Sequence, residues 1–334
     1  MNQPHRSALL APRRAAKVVA ALGAAALLLT GCGSDKDDEG AGGKGGADKA
    51  GSSATRTVKD ATGKAVKVPA HPKRIVTLTQ EDLDAVLALG IKPVGITNGQ
   101  GMNKPPAYLA DKVEGVDVVG NLLQPVMDKV IAAKPDLILA GDMQDEQVLE
   151  QLREITPATL VTMAPTDEWK LSFRGVGNAV NKLDKANEVI SDHEAAAKSA
   201  GAKLGADKGA EVSIVRWNPD GPSWMEKKQF AGGVALEMGL KRPKAQNKDG
   251  NAHTPSLSLE KIDQIDGDWL FLSTLTSDGE KALKDVQSKP AYKGLNAVKK
   301  KHAVTVDGSV WSTRGGPLAG EAVVEDITKA LTAS

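Results

Sequence analysis

Short apolar runs alternate with helical segments in two successive series, and this pattern constrains the chain most. Arg74-Ile75-Val76-Thr77-Leu78 reads as a buried strand. The helix that follows, over Glu81–Leu89, sets Leu83, Val86 and Leu87 on one face and stops at Gly90. Lys92–Ile96 reads as strand, Val126–Ala133 as helix, Asp136–Ala140 as strand, Glu146–Ile155 as helix and Ala158–Val161 as strand. A hairpin around Gly63-Lys64, with Val58 to Val68 alternating, precedes the series. Two helical stretches, Trp169–Asn181 and Lys185–Leu204, interrupt it. The alternation then resumes with strand Glu211–Arg216, helix Ala231–Met238, helix Leu259–Ile265, strand Asp268–Leu272, helix Gly279–Gln287, strand Ala303–Val306 and helix Leu318–Leu331. Strands separated by helices pair in parallel, so the expected fold is α/β with mainly parallel sheets. Lys185–Leu204 holds no Pro and no Gly before Gly201, which predicts one rod of roughly 30 Å between two α/β lobes.

The single cysteine, Cys32, ends the run Leu28-Leu29-Thr30-Gly31-Cys32. Arg6, Arg13, Arg14 and Lys17 precede a short apolar stretch of Val, Ala and Leu, the make-up of a secretory signal. Leu-Thr-Gly before a cysteine resembles a bacterial lipoprotein box, in which the thiol is acylated and becomes the new N-terminal residue. Residues 18–30 are too few to span a bilayer, which takes about 20 apolar residues. The expected organisation is therefore a signal peptide at 1–31, a lipid-anchored flexible linker at 32–56, a first lobe at 57–183, a connecting helix at 184–204 and a second lobe at 205–334. With one cysteine no internal disulfide forms, and stability rests on the core.

Charge gives little purchase for nucleic acid. The chain carries 43 basic and 42 acidic residues. Removing residues 1–31 takes four basic residues and no acid, leaving 39 against 42, a net of about −3.

Several segments resemble the solute-binding proteins of iron–siderophore and cobalamin ABC importers. They are His71-Pro72-Lys73-Arg74-Ile75-Val76, Ala88-Leu89-Gly90-Ile91-Lys92-Pro93-Val94-Gly95 and Lys134-Pro135-Asp136-Leu137-Ile138 in the first series. Gly239-Leu240-Lys241-Arg242-Pro243, Ser258-Leu259-Glu260-Lys261-Ile262 and the tail from Trp311 through Gly315-Gly316-Pro317-Leu318-Ala319 complete the set. The resemblance implies two Rossmann-like lobes joined by a rigid helix with the ligand in the cleft between them. It also implies a monomeric lipoprotein on the extracytoplasmic face, serving permease subunits and their ATPase.

A ferric siderophore already fills the coordination sites of its iron. The protein then needs no metal ligand of its own and no further cofactor. It needs aromatic faces and donors aimed at the oxygens around the metal, a task suited to arginine. Five of the ten aromatic residues are Trp, and three of these lie among breakers: Trp217, Trp224 and Trp311. Arg216 and Arg314 stand beside them. The resemblance implies ligand contacts at Arg216, Trp217 and Trp224. Trp311 and Arg314 join them, with Tyr108, Asn98 and Gln100 from the first lobe. Trp169 and Trp269 read as lids over small cores. For docking on the permease the resemblance implies one acid per lobe, Asp84 (with Glu81 as the near alternative) and Glu237.

The preferred ligand is a hydroxamate-type ferric siderophore, with cobalamin or haem as alternatives. A zinc or manganese receptor would need clustered histidines, whereas His71, His193, His253 and His302 are scattered. An anchored hydrolase would need a nucleophile, base and oxyanion site. Neither Gly-x-Ser-x-Gly nor a P-loop occurs.

Overall fold

The computed structural model describes residues 54–333, so Cys32 and the expected leader lie outside the described residues. A hairpin opens the fold, β1 (Thr55–Lys59) against β2 (Ala65–Pro69), with Val58 opposite Val66. Its turn is closed by Asp60, whose Oδ1 accepts from the backbone N–H of Thr62 and Lys64.

The first sheet follows from β3 (Ile75–Thr77), α1 (Gln80–Ala88), β4 (Gly95–Thr97), β5 (Asp117–Asn121), β6 (Gln124–Pro125), α2 (Met127–Ala132), β7 (Leu137–Leu139), α3 (Glu146–Ile155) and β8 (Thr159–Leu160). Its strand order is β6-β5-β4-β3-β7-β8, parallel except for the β5–β6 edge. β3, β4 and β7 are buried on both faces, which is why they read as unbroken apolar runs. Two of the sequence signatures meet here: Asp136 accepts from the backbone N–H of Lys73 and Arg74 at 2.8 Å each, and the Arg74 guanidinium donates to the carbonyls of Ala133 and Lys134. The start of β3 is thereby tied to the start of β7.

Then come α4 (Trp169–Ala179) and α5 (Leu183–Ala202), the long helix expected over Lys185–Leu204. The second sheet is built by β9 (Val212–Asn218), β10 (Gly221–Trp224), α6 (Phe230–Glu237), β11 (Trp269–Ser273), α7 (Ser277–Gln287), α8 (Pro290–Lys293), α9 (Asn296–Lys299), β12 (Ala303–Thr305), α10 (Gly308–Trp311) and α11 (Pro317–Thr332). Its order is β10-β9-β11-β12, with β9, β11 and β12 parallel and β10 an antiparallel edge. Leu259–Ile265, expected as a helix, is a 3₁₀ segment. Among the described residues no helix is long and apolar enough to cross a membrane.

α5 serves both halves. Ala186 and Ile190 pack into the first core beside Phe173 and Val176, and Ala197 packs into the second beside Val323 and Ile327. Gly201 sits where α5 meets the end of α6; a Cβ there would lie 1.8 Å from the Met238 carbonyl oxygen. Gly201→Val is therefore expected to cost about 1–3 kcal/mol through forced displacement of the two helices. Urea unfolding measures this, and an unchanged midpoint would mean that α5 slides freely on α6.

Candidate functional site

The two halves meet where the N-terminal end of α1 faces the segment from Ser309 to Ala319. Thr79 caps α1, and Gln80, Asp82 and Asp84 are all buried, Gln80 and Asp84 on the face toward Ser309–Ala319 and Asp82 on the face toward Gly141 and Thr162. Gln80 Nε2 donates to the Ser309 carbonyl at 2.6 Å and to Thr313 Oγ1 at 2.9 Å. Asp82 accepts from Thr162 Oγ1 at 2.6 Å and from the Gly141 N–H at 2.8 Å. Asp84 accepts from the N–H groups of Leu318 and Ala319 at 3.0 and 2.9 Å and from the Tyr108 hydroxyl at 3.0 Å. Gly316 leaves room for that carboxylate, since a Cβ there would come within 2.5 Å of Asp84 Oδ1. Burial pushes the carboxyls of Asp82 and Asp84 up to about 6, against the pull of these hydrogen bonds.

Beside this seam lies a cavity of about 210 Å³. Trp169 and Phe173 of α4 wall it from the first half, and Phe230 and Leu236 of α6 from the second. The Trp169 ring meets Phe230 at 6.2 Å and 75°, and His193 of α5 edge-on at 5.1 Å. Glu81, Asp82, Asp167, Glu168 and Glu237 bring acids to the lining, and Lys170, Lys228 and Arg314 bring cations. Lys170 Nζ bridges Glu237 at 2.6 Å and Glu194 at 2.7 Å, and Glu237 also meets His193 Nε2 at 3.1 Å. Burial opposes ionisation of Glu237, but His193 and Lys170 outweigh it and hold the carboxyl below its ordinary value. Glu81 has no such cation in its grip. Burial pushes it to about 8, with Asp82 adding to the rise and Arg314 opposing it.

At the end of β9, Arg216 is 9% exposed, and its Nη2 lies 2.6 Å from His253 Nε2. Burial lowers its pKa. Arg314 donates to the Pro165 carbonyl and stands 3.4 Å from Asp142 Oδ2. Asn251, on the cavity wall two residues before His253, also reaches the Pro165 carbonyl. Two second-half side chains thus converge on one first-half carbonyl.

Three indoles expected to face a ligand do not. Trp217 and Trp224, 2% and 7% exposed, pack with Ile262, Leu272, Leu283 and Tyr292 inside the second half. Trp311 is 0% exposed, stacked on Phe271 at 4.5 Å, with its Nε1 donating to Asp326. The physical reason is strand geometry: Val215 and Trp217 alternate onto one face of β9, and β10 sets Trp224 opposite Val215. Asp84 is likewise corrected as a permease contact. It is 0% exposed and spent on three internal donors, so it has no outward face. Tyr108 is half-buried with its hydroxyl given to Asp84. Asn98 donates to Asn121 Oδ1 at 2.9 Å, and Gln100 is exposed; neither lines the cavity. Of the residues expected at the ligand, Arg314 lines the cavity; Arg216, near the end of β9, is not among the lining residues and meets His253. Glu237, expected at the permease, lines it too and is half-buried.

Sequence reasoning missed Trp169, Phe173 and Phe230. Trp169 does lid two cores, as expected, but also walls the cavity. The i, i+4 spacing of Trp169 and Phe173 behind Thr166-Asp167-Glu168 was the available signal. Among the described residues, no group of three or more His, Cys, Asp or Glu side chains is placed to hold a metal ion.

Residues 75–310 match the profile of the periplasmic binding protein family. The chain is 37% identical over 285 residues to the probable siderophore-binding lipoprotein YfiY of Bacillus subtilis, covering 83% of this chain and 87% of that one. It is 28% identical over 307 residues to the Fe(3+)-citrate-binding protein YfmC of the same organism, covering 91% and 93%. The fold is that of Staphylococcus aureus SirA in complex with staphyloferrin B, with a TM-score of 0.72 at 24% identity over 83% of this chain and 99% of that one.

The seam carboxyls make stability pH-dependent. Between its ordinary value of 4.5 and about 8, Glu81 keeps its proton in the fold but loses it in the unfolded chain. The native state then binds more protons, so stability falls as pH rises through that window. Glu81→Gln removes this contribution. The melting temperature of the variant is expected to gain on that of the parent from pH 5 to pH 8, and a constant difference would mean that Glu81 titrates as a solvated acid.

Proposed function

The chain belongs to the periplasmic binding protein family, and from that membership we propose that it is the substrate-binding component of an ABC importer that captures a ferric siderophore outside the membrane. The observation that carries the reading is the aromatic-walled cavity at the junction of the two α/β halves, with Arg314, Lys170 and Lys228 on its lining. Aromatic faces suit the organic shell of a chelate, and guanidinium and ammonium groups suit its oxygens. A chelate that saturates its own iron asks no ligand of the protein. The names of the siderophore-binding and ferric-citrate-binding relatives support the same class.

Delivery follows from the same reading. A lipid on Cys32 holds the protein at the extracytoplasmic face, as a monomer. Glu237, expected to meet the permease, is paired with Lys170 and His193 on the cavity wall, so it docks only if those pairs open. Trp217 and Trp224 belong to the core, so the type of ferric siderophore is decided by titration.

Trp169 supplies the readout. Titration with ferrichrome, ferric citrate and a ferric tris-catecholate is expected to give saturable tryptophan quenching with at least one of them. Trp169→Ala, followed by titration calorimetry because the variant lacks the quenched indole, is expected to weaken that chelate by about tenfold, or ~1.4 kcal/mol. Tight binding of cobalamin or haem with none of the ferric chelates bound would overturn the proposal.

A further inference from the structure

We propose that His253 is a positioning residue of the ligand site: it holds Arg216 in place as a neutral acceptor and leaves the guanidinium its full charge for an oxygen-rich chelate. The inference rests on the proposed siderophore reading and adds to it a residue and a preference for anionic oxygen.

The hydrogen bonds around the ring leave one assignment. His253 Nδ1 lies 2.9 Å from the Thr254 carbonyl, which can only accept, so Nδ1 carries the hydrogen. Nε2 lies 2.6 Å from Arg216 Nη2, which can only donate, so Nε2 presents its lone pair. The ring in this arrangement is the neutral Nδ1–H tautomer, because a second ring hydrogen would oppose a guanidinium N–H head-on. The backbone keeps the ring in place. His253 bridges Met225, the Thr254 N–H donates to the Trp224 carbonyl at 3.1 Å, and Trp224 N–H donates to Thr254 Oγ1.

Arg216 is nine-tenths buried and makes no ion pair among the described residues. Its Nε is buried and has no hydrogen-bond partner among the described residues. An arginine has five N–H donors and does not give up its charge. A carboxylate in the place of His253 would fix the side chain equally well, but it would cancel the field that draws an anionic ligand. An imidazole fixes it without that cost. Asn251, two residues before His253, lines the cavity, so the segment that carries the histidine borders the proposed binding site.

The test compares three variants of the full mature chain, His253→Gln, His253→Glu and His253→Leu, by tryptophan quenching with ferric citrate and ferrichrome and by thermal unfolding. Leu removes the acceptor, and binding of whichever chelate the parent takes is expected to fall by about tenfold. Gln restores a neutral acceptor and is expected to recover most of that loss. Glu restores an acceptor that carries charge. It is expected to melt no lower than Gln and yet to bind as poorly as Leu, with the larger loss for ferric citrate.

A purely structural role predicts that Glu binds as well as Gln, and that result would overturn the inference. Parent-like binding by the Leu variant would overturn it too. If the Leu variant does not fold, the Glu–Gln comparison alone decides. A parent that binds neither ferric citrate, ferrichrome nor the tris-catecholate fails the proposed function itself, a failure visible before any variant is made.

Discussion

A carboxylate sealed inside the molecule joins its two halves. Asp84 sits on the first helix and takes the free N–H groups at the start of the last one, from Leu318 and Ala319. Those N–H groups have no partner within α11, and the helix dipole favours negative charge at that end. Chain segments more than two hundred residues apart are thus held by one side chain, with Tyr108 as a third donor. Gln80, one turn earlier on α1, repeats the tie to Ser309 and Thr313. The seam so formed sets the distance between α4 and α6, and the cavity lies between those helices.

Much of the architecture was legible. Buried parallel strands announce themselves as apolar runs, as at Ile75–Thr77 and Leu137–Leu139, and a long helix without breakers announces itself as a rod. α5 is found at Leu183–Ala202, displaced by two residues at either end from the expected Lys185–Leu204. The strand at Asp117–Asn121 was not legible. Its pattern is exposed, half-buried, buried, half-buried and exposed, so it has neither a continuous apolar run nor a clean alternation.

The site was read less well, for a reason visible in β9 and β10. Asn218-Pro219-Asp220-Gly221 looks like a loop, and tryptophans beside loops look like ligand contacts. It is a two-residue hairpin turn that needs φ of +131° at Gly221, and it carries Trp217 and Trp224 into the core on one face. The alternation of Val215 and Trp217 against Ile214 and Arg216 was present in the sequence. Local turn chemistry drew attention away from it. Asp84 failed differently. Its position on an amphipathic helix is legible, but its donors come from Leu318 and Ala319, and no local pattern encodes a partner that far along the chain.

The seam treats its two signs of charge differently, and that difference bears on what it can hold. Its acids are consumed internally: Asp82 by a hydroxyl and a backbone N–H, Asp84 by two N–H groups and a phenol, and Glu237 by Lys170 and His193. Burial further favours the protonated forms of Asp82, Asp84 and Glu81. The two guanidiniums are hydrogen-bonded to neutral oxygen and nitrogen, Arg314 to the Pro165 carbonyl and Arg216 to His253, with Asp142 at 3.4 Å from Arg314 and Glu81 also within its field. The lining of the cavity thus carries both signs, and Arg216 and Arg314 are two guanidiniums held without a close carboxylate pair. Coulombic attraction is strongest where water is excluded and no counter-charge is built in.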